Sequence, residues 1–197
     1  MLIEISVGNY RSFQKTVTFS MVAANLVAKD KSLDEKNIVE IDSALGLLKS
    51  AAIYGANASG KSNLAQAMEF MRRFMIDSSR ETQSTDPVDV EIFRLSSETE
   101  KQPSYFRVSF LMDGKKFNYE FEVNRQRVIS EKLTYVPKIR ETSLFERKLD
   151  KITFSKKYGA SGLEKRTRHN ALFLSVCAQF NVEIAENILK WMDLNFK

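Results

Sequence analysis

Apolar and polar side chains alternate from the second residue. In "LIEISV", Leu2 to Val7, the side chains of Ile3, Ile5 and Val7 share one side, with Glu4 and Ser6 on the other. In "TVTFSMV", Val17, Phe19 and Met21 do the same against Thr18 and Ser20. A period of two marks a half-buried strand, and Gly8 and Asn9 between the runs are turn formers, so the opening predicts an antiparallel hairpin packed by one face. From Asn25 to Ile41 the text is polar with little periodicity and predicts a loop or a short surface helix. "SAAIY", ending at Tyr54, predicts a short apolar strand. The period then lengthens. Leu64, Met68, Met71 and Met75 fall on one stripe, joined by Ala67 and Phe74, while Arg72 and Arg73 face elsewhere, as in an amphipathic helix.

"DSSRETQSTDP", Asp77 to Pro87, predicts an exposed or mobile connection. Beyond it the period returns to two. Phe106, Val108, Phe110 and Met112 face one way, and Phe117, Tyr119, Phe121 and Val123 answer them across Asp113-Gly114, a strong hairpin signal. "VISEKLTYV" and "KITFS" predict further strands, with "ETSLFERKLD" between them. In the tail, "ALFLSVCAQF" and "VEIAENILKWM" have helical spacing. Ile184, Ile188 and Trp191 form one stripe there, and Asn181 separates two helices. There is no internal repeat and no low-complexity tract.

Composition narrows the class. With 197 residues, 43% hydrophobic and 28% charged, the chain has the makings of an ordinary globular core. Cys177 is the only cysteine and His169 the only histidine, which excludes an intramolecular disulfide and a cysteine- or histidine-based metal cluster. The start carries Glu4 and no unbroken apolar core, unlike a secretory signal, and the most apolar later run, Ala44 to Tyr54, is interrupted by Lys49 and too short to span a bilayer. A cytoplasmic protein without a membrane segment is expected. The net charge of +5 is uneven: residues 101–170 hold 17 Lys/Arg against 8 Asp/Glu, leaving −4 for the rest. That excess is compatible with a polyanion such as nucleic acid; a solvated, lysine-rich sheet face accounts for it equally.

The chemistry lies in "YGANASGKSN", Tyr54 to Asn63. Gly55-Ala56-Asn57-Ala58-Ser59-Gly60-Lys61-Ser62 has the G-x-x-x-x-G-K-[ST] spacing of a phosphate-binding loop. Glycines let successive N–H groups point inward as a nest for phosphate oxygens, and the following helix adds its N-terminal partial charge. Lys61 is expected to reach the β- and γ-phosphates and Ser62 to coordinate Mg2+, while small Ala56, Ala58 and Ser59 let a nucleotide approach.

With "ISVGNYRSF" ahead of it, "AAIYGANASGKSNL" within it, and "PSYFRVSFLMDGKKFNYEFEV" and "LFER" behind, the chain resembles the start of ABC-type chromosome and repair ATPases of the RecF/SMC kind. It is most similar to the bacterial AAA/ABC-like ATPases of abortive-infection and phage-defence systems, RloA and OLD among them. The resemblance implies an α/β fold of the P-loop NTPase type. It would be an ABC-type lobe I, with an N-terminal β-hairpin and P-loop unit over residues 1–76, an antiparallel β-subdomain over 88–155 and a helical segment over 169–197. It implies ATP and Mg2+ at Gly55, Ala56, Asn57, Ala58, Ser59, Gly60, Lys61, Ser62 and Asn63, with Asn63 typical of the SMC-like branch. Arg11 in "NYRSF" matches a basic position that lies near the nucleotide in such proteins. A Q-loop glutamine is not assignable among Gln83, Gln102 and Gln126.

Two parts of such an ATPase have no match. No apolar strand ends in Asp-Glu after residue 100, and no LSGGQ-like signature occurs; "YGASGLEKR", Tyr158 to Arg166, is expected to be a plain glycine loop. The expectation is an N-terminal lobe that binds ATP, turns it over negligibly alone, and when complete couples ATP-dependent homodimerisation to nucleic-acid processing or phage defence, with a nuclease or other effector as partner. Two other classes remain open. A P-loop kinase or phosphotransferase would need fewer missing parts but usually begins with the loop's own strand; a nucleotide-independent nucleic-acid-binding module would bind through a basic sheet regardless of Lys61.

Overall fold

A computed structural model describes residues 1–24, 32, 36–43, 45–137 and 140–196. Strands β1 (Leu2–Gly8) and β2 (Val17–Ser20) form the expected antiparallel hairpin, with Ile5 opposite Phe19 and Val7 opposite Val17. Two short strands follow, β3 (Ile38–Glu40) and β4 (Gly46–Leu48), paired with each other. Then come helix α1 (Lys61–Asp77), strands β5 (Ser104–Met112), β6 (Lys115–Val123), β7 (Val128–Val136), β8 (Thr142–Lys148) and β9 (Lys151–Phe154), and helices α2 (Phe173–Gln179) and α3 (Glu183–Asn195). Because β1 also pairs with β5, the hairpin continues into one seven-stranded antiparallel sheet of order β2-β1-β5-β6-β7-β8-β9.

The period-two pattern explains the sheet's two faces. Phe106, Val108, Phe110, Tyr119, Phe121 and Leu133 point to one side and are fully buried beneath the helices. Aromatic contacts join the layers: Phe70 of α1 lies 5.0 Å from Phe106, Phe74 lies 5.7 Å from Phe121, and Trp191 of α3 stacks on Phe110 at 4.2 Å. The other face carries a row in which sign alternates from strand to strand: Arg107 opposes Glu120, Glu120 opposes Lys132, and Lys132 opposes Glu146. Opposite charges across a sheet attract and like charges repel, so this face is charge-balanced rather than lysine-rich.

The β5–β6 turn takes the form its sequence predicts. Asp113 and Gly114 have φ of +51° and +69°, both in the left-handed region. A Cβ on Gly114 would meet nothing within 4 Å, so Gly114→Ala isolates the backbone penalty. We expect a loss of about 1–2 kcal/mol in chemical denaturation with the slope unchanged.

Elsewhere the structure departs from the sequence pattern. "SAAIY" is not a strand: Ala51 to Tyr54 are exposed, Tyr54 by 91%, and no described strand runs beside them to complete a ladder. The 25–41 segment lies largely outside the described residues, but its end contributes β3. "ETSLFERKLD" contains β8, disguised because Leu144 and Phe145 are both buried next to a register shift opposite Leu133/Thr134 and because Arg147 points inward. Asp77 to Pro87 is mostly exposed, as expected, yet it is tied down rather than loose. Asn170 Nδ2 donates to the carbonyls of Gln83 (2.7 Å) and Asp86 (3.0 Å), and Leu172 N–H donates to Ser78 Oγ at 3.1 Å. Finally, the buried stripe of α3 runs through Ala185, Ile188 and Met192, leaving Ile184 and Trp191 at its margin.

Candidate nucleotide-binding site

Residues 55–59 form an exposed loop, turned by a hydrogen bond from Ser59 N–H to the Ala56 carbonyl at 3.2 Å and by left-handed φ at Ala58 (+62°). Gly60, with φ +95°, is the N-cap of α1. Gly60 is required by its left-handed φ, and a Cβ there would also lie 3.1 Å from Ser12 Oγ and 3.5 Å from the Phe13 ring; a Cβ on Gly55 would lie 2.6 Å from Ser59 Oγ, which would have to turn away. No side chain caps α1, and its first ladder bond is Leu64 N–H to the Gly60 carbonyl at 3.0 Å. The N–H groups of Lys61, Ser62 and Asn63 therefore have no helical acceptor and carry the positive end of a 17-residue helix.

Lys61 folds back across the loop. Its ammonium donates to the carbonyls of Gly55 and Ala56, each at 2.7 Å, and lies 3.4 Å from Ser59 Oγ. Ser62 sits exposed in the first helical turn beside it. N–H groups without helical acceptors, an ammonium folded across the loop and a neighbouring hydroxyl form a set suited to phosphate oxygens and a hard cation.

The turn between β1 and β2 packs against this helix start. Asn63 Nδ2 donates to Ser12 Oγ at 2.7 Å. Arg11, held at φ +47°, bonds through Nη1 to Gln66 Oε1 and through Nη2 to Glu91 Oε1 at 2.5 Å, while its N–H donates to the Glu91 carbonyl at 2.9 Å. Gln66 is one turn beyond Asn63 on the same helix face, so Arg11 stands beside the first two turns of α1 with its guanidinium committed to those partners. Its neighbour Tyr10 lies in the aromatic core, 5.3 Å from Phe106, and burial pushes its phenol above the ordinary range.

A family model described as "AAA domain, putative AbiEii toxin, Type IV TA system" matches residues 50–175, from just before the glycine loop into α2. The chain belongs to this AAA-domain family. No individually curated protein matches it. The AAA domain places the loop among P-loop AAA/ABC-like ATPases and agrees with an α/β fold dominated by a large antiparallel sheet.

Gln66 and Glu91 within the AAA domain, and Ser12 and Phe13 ahead of it, were not legible as site neighbours. Glu91 lies in "VDVEIF", which alternates like a strand but is none: Val88 and Val90 turn into the core, and Glu91 faces Arg11. Of the glutamines, Gln83 and Gln102 accept through their backbone carbonyls from Asn170 and Asn9, and Gln126 lies in the β6–β7 turn. Tyr158 to Arg166 runs from the end of one 3-10 turn (Lys156–Tyr158) to a second (Glu164–Arg166), with left-handed Gly159 and Gly162 between them and Tyr158 anchored 5.2 Å from Phe145.

Proposed function

We propose that this AAA domain is the ATP-binding lobe of an ABC-type ATPase of the RecF/SMC-like branch, related to the RloA and OLD abortive-infection ATPases. The observation that supports it most is the left-handed Gly60 delivering the Lys61 ammonium and the uncapped α1 N-terminus to one loop mouth. In this reading the loop N–H groups from Gly55 to Asn63 cradle the phosphates, Lys61 turns from its loop carbonyls to the β/γ oxygens, and Ser62 holds the Mg2+ that neutralises them. Arg11 faces the nucleotide from the β1–β2 turn and gives up its bond to Glu91 to do so.

No described strand ends in an Asp-Glu pair, so the described residues offer no evident group to polarise an attacking water. It grips without cutting. Its biological role is to couple ATP-dependent homodimerisation to nucleic-acid processing or phage defence through an effector. Residence in the cytoplasm belongs to the same proposal; among the described residues no helix is long and apolar enough to cross a membrane.

Isothermal titration with ATP and Mg2+ tests the reading. One saturable site is expected, weakened when Mg2+ is chelated or in Ser62→Ala, with phosphate release near the buffer rate. Rapid Lys61-dependent hydrolysis by this chain, or phosphate transfer to a small acceptor, would replace it with an enzyme complete in itself.

A further inference from the structure

The sequence shows an excess of cations in residues 101–170 but not where they gather; the sheet topology decides that. At the end of the sheet nearest the β1–β2 turn, three cations from this region meet carboxylates, while exposed Arg125 and Lys151 stand apart in separate turns. Arg127 pairs with Asp150 at 2.6 Å, Lys148 with Glu146 at 3.4 Å, and Arg147 with buried Glu131 at 3.8 Å.

The opposite end differs. Three turns converge there: the β5–β6 turn, the connection from β7 to β8, and the exit from β9, where Ser155 N–H donates to the Leu144 carbonyl at 2.8 Å. They carry Lys115, Lys116, Arg140, Lys156 and Lys157, all exposed except half-buried Lys116. None of the five is ion-paired among the described residues. Lys157 alone has a side-chain partner, the Tyr135 hydroxyl at 2.7 Å, and its ammonium stands 5.0 Å over the Tyr135 ring.

The acids of this rim are Asp113 and Glu141, and Glu141 is turned onto the sheet face, accepting from Thr134 Oγ1 and Asn118 Nδ2 at 2.6 Å each. Those two hydrogen bonds hold its carboxyl below the ordinary glutamate range, so it stays ionised and anchored to Thr134 and Asn118. The rim is rigidly based. Tyr158, the residue after Lys157, is buried against Phe145 and Phe173, and Lys115 and Lys116 begin a nine-residue strand.

We propose that this rim docks the phosphate backbone of a nucleic acid without regard to base sequence. Adjacent strands lie about 4.8 Å apart, so the row from β6 to β9 is about 14 Å long. The phosphates of one duplex strand wind about its axis and lie farther apart than their axial rise, so a straight row of that length faces about two or three of them with five cations. Aromatic rings of the rim's described residues are buried or half-buried, which leaves no exposed platform for stacking bases.

The surface is separate from the glycine loop. Gly60 packs on Ser12 in the turn after Gly8, which pairs with Tyr105 at one end of β5; the rim lies beyond Met112 at the other. Nine residues of strand put roughly 30 Å between them. The inference therefore does not depend on the nucleotide reading.

Fluorescence anisotropy of a labelled DNA duplex with the full chain tests it. Binding should weaken with salt, with a log–log slope of about −2 to −3, as expected when about two or three phosphates are neutralised. The charge-reversal variant Lys115→Glu/Lys116→Glu/Lys156→Glu should bind at least about ten-fold more weakly with its circular dichroism and ATP binding intact, since all three side chains are at the surface. Lys61→Ala should bind DNA as wild type. Undiminished binding by the triple variant, loss of DNA binding in Lys61→Ala, or tighter sedimentation with phosphatidylserine vesicles than binding to DNA would each overturn the proposal. If the triple variant does not fold, the milder Lys115→Gln/Lys156→Gln pair should flatten the salt slope by about 2, and an unchanged slope would count against the rim.

Discussion

Replacing Lys61 with alanine should lower the affinity of the chain for ATP and Mg2+ by about two orders of magnitude or more. Among the described residues the ammonium is the only side-chain cation bonded to the loop, and both its short contacts, at 2.7 Å, are to carbonyls of the loop itself. Two charge-assisted hydrogen bonds to phosphate, at about 1.5–3 kcal/mol each, correspond to at least a hundred-fold in binding. Stability should hardly change, because residues 55–59 are exposed and Lys61 supports no part of the core. The substitution thus separates binding from folding. Arginine is not a remedy: its planar fork is larger than the ammonium that now fits between Gly55 and Ala56. Calorimetric titration beside a thermal melt gives the answer, and a Lys61→Ala chain with undiminished ATP affinity would remove the loop from the account of this protein.

The largest stability effect is expected far from the loop. Arg147→Met should cost about 3–5 kcal/mol near neutral pH, because it strands a buried carboxylate. Glu131 is enclosed by donors: Tyr119 O–H at 2.9 Å, Leu174 N–H at 2.9 Å and Phe173 N–H at 2.7 Å, with Arg147 beyond at 3.8 Å. Arg147 in turn donates to the carbonyls of Leu149 (2.7 Å), Ala171 (2.6 Å), Arg168 (3.1 Å) and His169 (3.3 Å). The pair joins β7 and β8 to the segment entering α2, and that segment holds the end of α1 through Ser78.

Burial pushes the Glu131 carboxyl above the ordinary glutamate range, opposed first by Arg147 and then by the N–H groups of Leu174 and Phe173 and the Tyr119 hydroxyl. A folded pKa above the unfolded one means that the folded state takes up the proton first. The cost of the buried anion is therefore borne in full above the folded pKa and relieved as pH falls toward the glutamate range. Losing Arg147 removes the largest opposing influence and raises that pKa further. The deficit of Arg147→Met should accordingly shrink as pH is lowered, and Arg147→Met/Glu131→Leu should recover part of it at neutral pH. Urea denaturation at neutral and mildly acidic pH measures both; a deficit that grows on acidification would contradict this account.

Elements built from contacts close in sequence were legible. The β1–β2 and β5–β6 hairpins, helix α1 and the break at Asn181, with φ of +61°, follow from period, turn residues and glycine placement. So did the glycine loop, whose spacing is itself the chemical instruction. The misses share another cause. β8 was hidden because Arg147, a charge, occupies an inward position that Glu131 on the next strand makes tolerable. "SAAIY" is apolar enough for a buried strand, yet its exposure depends on which strands lie beside it. Arg11 was marked as a site residue, but nothing local announces Glu91, 80 positions away, as its counterion.

The sequence by itself determined which side of β1, β5, β6 and α1 faces inward, where the hairpins turn, and that a loop with the spacing of a phosphate-binding loop opens α1. Those properties reside in single residues and neighbours within a few positions. Tertiary structure alone decided that seven strands form one sheet, that Arg11 meets Gln66 and Glu91, and that five cations from three turns line one rim. Periodicity reports only the side a residue faces; which residue it meets there depends on strand order and register, set by side chains from remote parts of the chain.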